Sequence, residues 1–138
     1  MARNIIYQRL LKKMFILEVL GERLYSILAS KTKRENLKLA YRRLAFNEYK
    51  TLEYIEKEFF AVCNNNVPNR KVISGCAKFI FNLVPARQLS LILKSILKRR
   101  LYSRWFNINK DKNRKFWDLL LEHENMQYEL LRPIWNQK

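Results

Sequence analysis

Glycine and proline are nearly missing from this sequence, at 2 and 3 residues in 138. That scarcity argues against sheet architectures, whose hairpins and bulges consume such residues, and favours long helices, which exclude them. Acid is scarce as well. Against 28 Lys+Arg stand 12 Asp+Glu, a formal charge of +16, and such an excess repels itself unless an anionic partner lies near. With two cysteines and one histidine, the chain has neither a disulfide framework nor a closed zinc site. Cys63 and Cys76 flank an Asn-rich segment between two predicted helices, so a bridge between them is within geometric reach. Reduced thiols are the expectation for a cytosolic protein. The longest stretch free of Asp, Glu, Lys and Arg is the eleven residues Phe59 to Asn69, short of the roughly 20 that cross a bilayer as a helix. At the N-terminus, Arg3, Arg9, Lys12 and Lys13 before Met14-Phe15-Ile16-Leu17 imitate a leader, but Glu18 and Glu22 interrupt the apolar run. The segment reads as mature helix and the address as cytoplasmic, with an organellar matrix as the alternative. A lone His123 with no orienting neighbour supports no nucleophilic triad.

What is present is helical periodicity in a chain that is 49% hydrophobic. Ile6, Leu10, Met14, Leu17, Leu20, Leu24 and Leu28 recur every three to four residues and predict a first helix over residues 3–30. After Lys31-Thr32-Lys33, the spacing Thr32-x-x-Glu35 is that of a capping box. It opens a second helix striped by Leu37, Tyr41, Leu44, Leu52, Ile55 and Phe59, ending before the loop Asn64 to Asn69. Lys71 to Val84 and the periodic Leu89, Leu93, Ile96 and Leu97 predict a third helix broken near Pro85. A loop over Asn107 to Asn113 precedes a fourth helix over Arg114 to Leu131, with Pro133 just past its end. Four helices with short connections predict an all-α, up-down-up-down four-helix bundle, a single domain over residues 1–138.

Three acids fall on apolar stripes: Glu18 in the first helix, Glu48 in the second and Glu124 in the fourth. A buried lone carboxylate is costly, so three helices each offering one suggests that they meet. Around them the residues Glu18-Val-Leu-Gly-Glu-Arg-Leu-Tyr25, Leu44-Ala-Phe-Asn-Glu48-Tyr-Lys-Thr51 and Leu120-Leu-Glu-His-Glu124-Asn-Met-Gln127 resemble the rubrerythrins and other ferritin-like proteins. The resemblance implies a ferritin-like bundle whose inward carboxylates once held two irons. It also implies what is gone: the histidines that complete such a centre fall on Thr51 and Gln127, and the fourth glutamate on Ser95. His123, one residue before Glu124, is rotated about 100° around the helix and on this reading does not replace them. Glu18, Glu48, Thr51, Ser95, Glu124 and Gln127 are thus expected to be vestigial positions, with no metal and no other cofactor. The competing reading is a metal-binding, oxidoreductase-like homologue using Glu18, Glu48 and Glu124.

Between Ala86 and Lys115 ten basic residues face one acid, Asp111. Arg87, Lys94, Lys98, Arg99, Arg100 and Arg104 are the candidate phosphate-gripping residues, and Tyr102 and Trp105 candidate stacking groups. Lys31, Lys33 and Arg34 lead a second basic cluster. Hot-environment surfaces balance Glu with Lys, which this one does not. No helix-turn-helix, zinc finger, RNA-recognition motif or glycine-rich phosphate loop is present, so recognition would rest on phosphate contact and shape. The expectation is a non-catalytic protein binding RNA, ribosomal RNA beside neighbouring ribosomal proteins above all, with no small-molecule substrate. A peripheral protein docked on an anionic membrane is the further alternative.

Overall fold

The computed structural model describes residues 2–63 and 68–135, with side chains from Ile5 onward. The Arg3 side chain and residues 64–67 of the predicted Asn-rich loop lie outside the described residues. The fold is all-helical: α1 (Ala2–Lys31), α2 (Glu35–Cys63), α3 (Arg70–Asn82), α4 (Ala86–Lys98), α5 (Leu101–Asn109) and α6 (Arg114–Trp135). No helix among the described residues is long and apolar enough to cross a membrane. Cys63, half-buried, and Cys76, exposed, are free thiols.

The first two helices form where periodicity predicts them and α2 buries its predicted stripe, but α1 is turned: Ile6 is exposed and Leu10, Leu17 and Leu20 are half-buried, while Tyr7, Leu11, Phe15 and Val19 face the core. The capping box does not form, since α2 begins at Glu35 with Arg34 O accepting from Lys38 N. The Thr32 hydroxyl donates to Leu28 O at 2.5 Å, closing the end of α1 instead of opening α2. The predicted third helix is three helices. Pro85 accounts for the first break. The second falls at Arg100, which has no proline or glycine beside it and adopts a left-handed φ of 45°, a conformation costing an L-residue about 1–2 kcal/mol. Its guanidinium is held 4.2 Å from the Tyr128 ring and donates to Asn125 Oδ1 at 3.1 Å. Helix α5 then continues through the first half of the predicted loop to Asn109. Nor does α6 stop before Pro133. It runs to Trp135, because a proline in the last turn removes one backbone hydrogen bond on an exposed side, while Trp135 packs edge-on against Tyr128.

Side-chain pairings fix the chain directions. Tyr7 meets Glu58 and Tyr25 meets Tyr41, so α2 runs antiparallel to α1. Glu22 meets Arg70, Arg23 meets Ser74 and Lys31 reaches Val84 O, so α3 runs parallel to α1. Glu18 meets Tyr102, Lys13 lies over Trp105 and Lys112 over Tyr7, so the chain from α4 through α5 returns antiparallel to α1. Tyr7 meets Trp117 and Glu18 meets His123, so α6 is parallel to α1. The long elements therefore run up, down, down, up, with α3 as the crossover, and not up-down-up-down. Helix α3, short and docked parallel to α1, carries the chain back before the third long element starts.

Two apolar clusters occupy the two ends. Tyr7, Leu11, Phe15, Leu52, Ile55, Tyr102, Trp117 and Leu120 form one; Leu24, Leu28, Tyr41, Leu44, Leu89, Leu93 and Leu131 form the other. Between them lies a layer of buried Glu18, Glu48, Thr51, His123, Glu124 and Gln127. One further buried acid, Glu58, sits at the end of the first cluster, accepting from Asn113 Nδ2 at 2.8 Å and Tyr7 OH at 3.5 Å. Burial raises its pKa above the usual carboxylate value, although both donors pull it down. Folded Glu58 therefore holds its proton more tightly than unfolded Glu58. Its contribution to stability is complete below the ordinary carboxylate pKa and is lost as pH rises through the raised one. Glu58→Gln should flatten that part of the stability profile. Urea midpoints for both proteins between about pH 4 and pH 7 test this, and parallel profiles would refute it.

Candidate functional site

The buried polar layer is built from α1, α2, α5 and α6. On α1, Glu18 Oε1 accepts from Tyr102 OH. On α2, Glu48 Oε1 accepts from Gln127 Nε2. The second oxygen of each carboxylate, Glu18 Oε2 and Glu48 Oε2, is buried and has no hydrogen-bond partner. Both lie 3.5 Å from His123 Nε2. That nitrogen is also 2.8 Å from Gln127 Nε2, and because Glu48 Oε1 requires the Gln127 amide to present its NH₂, His123 Nε2 faces it as an acceptor. Three electron-rich atoms thus converge.

Gly21 makes the room. A Cβ at that position would stand 3.2 Å from Glu48 Cδ and 3.3 Å from its Oε1. Glycine inside a helix costs roughly 0.5–1 kcal/mol relative to alanine; here the missing methyl lets the Glu48 carboxylate lie flat against α1. The layer borders a cavity of about 280 Å³ whose walls include Leu20, Leu24, Ile92, Leu93 and Ile96 beside Glu18, Glu48, Glu124 and Gln127. Tyr25 and Tyr102 also line it. Burial, and secondarily the Glu18 charge, hold both phenols well above their usual pKa.

The structure brings Glu18, Glu48 and Gln127 together as the sequence suggests, but exchanges the roles of His123 and Glu124. His123 enters the cluster. Glu124 turns to α5, where Oε2 accepts from Tyr102 N at 2.8 Å and Oε1 accepts from Ser103 Oγ at 2.6 Å and Ser103 N at 3.3 Å. The carboxylate caps the first turn of α5, a favourable place for negative charge. Helix α6 is covered by α2 on one flank and α5 on the other, so its buried arc takes in Trp117, Leu120, His123, Glu124, Gln127 and Leu131, wide enough that adjacent residues both face inward. Thr51 is buried but its hydroxyl donates to Asn47 O at 2.9 Å, and Ser95 is exposed on α4. The residues do not fit a two-iron centre, nor is the set Glu18, Glu48, Glu124 assembled around one point. Among the described residues, the group with metal-ligand geometry is Glu18, Glu48 and His123, whose ligand atoms lie within 4.8 Å of one another. The signal for His123 was the i, i+4 spacing to Gln127, which places both on one face.

On the surface, four of the twelve acids, Glu18, Glu48, Glu58 and Glu124, are withdrawn into the interior. From Arg70 to Lys110, through α3, α4 and α5, there is no Asp or Glu at all. Arg87, Lys98, Arg99, Arg104 and Lys33 are exposed, as is Arg34, and Lys94 is half-buried. Other expected contacts have internal work. Lys31 Nζ donates to Phe81 O, Asn82 O and Val84 O at 3.4, 3.1 and 2.8 Å, holding the end of α3. Arg100 secures the α4–α5 break. Tyr102 is buried in the core and Trp105 packs half-buried against it, ring centroids 5.9 Å apart, so neither is a free stacking platform. Comparison with protein-family models, with curated proteins and with solved structures returned no match.

Proposed function

We propose that this chain is a ferritin-like bundle without di-iron chemistry that serves as a non-catalytic, RNA-binding structural protein, of the kind that sits on a ribosome. The up, down, crossover, down, up order is that of bundles with one long crossover, which supports the ferritin-like reading. The observation that carries the function is the separation of charge by depth. With four acids buried, eight remain to balance the 28 Lys+Arg, and ion pairs such as Arg70–Glu22 and Arg114–Asp118 occupy some of those. The remaining positive charge is spread over several elements: Arg9, Lys12 and Lys13 on α1, Arg42 and Arg43 on α2, Arg87 and Lys98 on α4, Arg99 at its C-cap and Arg104 on α5. A folded polyanion can engage several faces at once; a flat one meets a single face. Binding to a structured RNA at low salt, weakening steeply as salt rises, is the test. A wild-type protein that fails to bind at low salt defeats the reading.

A second reading, docking on an anionic membrane, has one observation in its favour. Val72, Phe79 and Ile80 on α3 and Leu83 at its C-cap are exposed, Phe79 at 71% and Leu83 at 72%, with Lys71 and Lys78 beside them. Apolar side chains flanked by lysine suit a lipid interface. Flotation with phosphatidylserine vesicles, lost in Phe79→Ser with Leu83→Ser, would favour it over RNA.

A further inference from the structure

We propose that Glu18, Glu48 and His123 bind one divalent transition-metal ion of the zinc type. Glu18 Oε2 and Glu48 Oε2 are buried on residues 5% and 3% exposed, and neither has a hydrogen-bond partner. Desolvated carboxylate oxygens carry a heavy penalty unless a cation or a donor meets them. The atom that both face, His123 Nε2, lies 3.5 Å from each. That separation is too long for an imidazolium N–H to make a good hydrogen bond to either oxygen, since such bonds run about 2.7–3.2 Å. It does suit a shared metal: bonds of roughly 2.0–2.2 Å in tetrahedral array place neighbouring ligand atoms about 3.4 Å apart.

The donor set selects the class of ion. One imidazole nitrogen and two carboxylate oxygens suit zinc, cobalt, manganese or iron(II), whereas calcium takes about six to eight oxygens and magnesium keeps several waters. Three protein ligands leave a fourth position for a water or another small ligand, and Glu18 and Glu48 also line the adjoining cavity. A metal on Nε2 displaces the Gln127 amide from that nitrogen while Gln127 keeps its bond to Glu48 Oε1. This set differs from the one the ferritin-like resemblance implies, both in its single ion and in drawing its nitrogen from position 123. It is also independent of the surface charge, so its failure leaves the RNA reading untouched.

Because the chain contains one histidine, the full-length protein reports on the site directly. Chelator-treated protein labelled with ¹⁵N-histidine should bind one Zn²⁺ per chain by titration calorimetry, and the Nε2 resonance should move in step with that binding. His123→Ala should weaken the affinity at least about 100-fold, with the exposed Glu122→Gln unchanged as control. The resonance is read on the wild type, so a variant that fails to fold does not obscure the answer. No binding, two ions per chain, binding with an unmoved imidazole resonance, or a folded His123→Ala variant of unaltered affinity would each overturn the proposal.

Discussion

Glu124→Ala is expected to lower the unfolding free energy by about 3–4 kcal/mol, a large share of the 5–15 kcal/mol typical of a small domain. The carboxylate accepts three hydrogen bonds from Tyr102 N, Ser103 N and Ser103 Oγ. Its removal strands donors at the start of α5, each costing roughly 1–3 kcal/mol when left buried and unpaired, and withdraws a negative charge from a helix N-terminus, worth up to about 2 kcal/mol in a partly buried setting. Relief of the carboxylate's own desolvation offsets part of the loss. The left-handed turn at Arg100 depends on the same anchor, since α5 must begin there to meet Glu124. Urea denaturation should show the reduced stability. Hydrogen exchange should show the Tyr102 and Ser103 amides opening first, and a loss below about 1 kcal/mol with both amides still protected would mean that other contacts hold the break.

The largest effect on binding should come from the exposed cations of α4 and α5. If about six phosphates are contacted, affinity for a structured RNA falls roughly 10³-fold between 50 and 200 mM salt. Replacing Lys98, Arg99 and Arg104 with glutamine should reduce the logarithmic salt slope by about two to three and the affinity near 0.1 M salt by roughly 10²-fold. All three side chains are exposed, so the fold should be affected by no more than a few tenths of a kcal/mol at each site. Lys31→Gln provides the contrast. Lys31 is engaged with the carbonyls at the end of α3, so its loss should appear in the melting temperature and leave the salt slope nearly unchanged. A triple variant with an unaltered slope removes α4 and α5 from the interface.

Periodicity and composition were sufficient for the helices that carry their own signal. The extent of α1, the stripe of α2 and the start of α6 are local properties, set by which side chains recur every three to four residues, and the acids interrupting the apolar stripes marked Glu18, Glu48 and Glu124 as buried before any contact was known. Which face of α1 turns inward, with Tyr7, Leu11, Phe15 and Val19 in place of Ile6, Leu10, Leu17 and Leu20, was decided by packing. The charge excess was equally legible, though its true surface value was not, because burial of four acids is a tertiary event. Tertiary packing alone decided the direction of the α4–α5 segment, since it depends on α3 docking parallel to α1. It decided the break at Arg100, which no proline or glycine announces and which Glu124, Asn125 and Tyr128 hold from another helix. It also decided that His123 joins the two carboxylates while Glu124 caps α5. Successive helical residues differ by about 100°, and when a helix is covered on two flanks the sequence cannot say which neighbour each inward residue meets. Lys31, Arg100 and Tyr102 make the same point from the surface side: residue type suggested a ligand contact, but proximity to open carbonyls, an aromatic face and a buried carboxylate turned each of them to holding the fold.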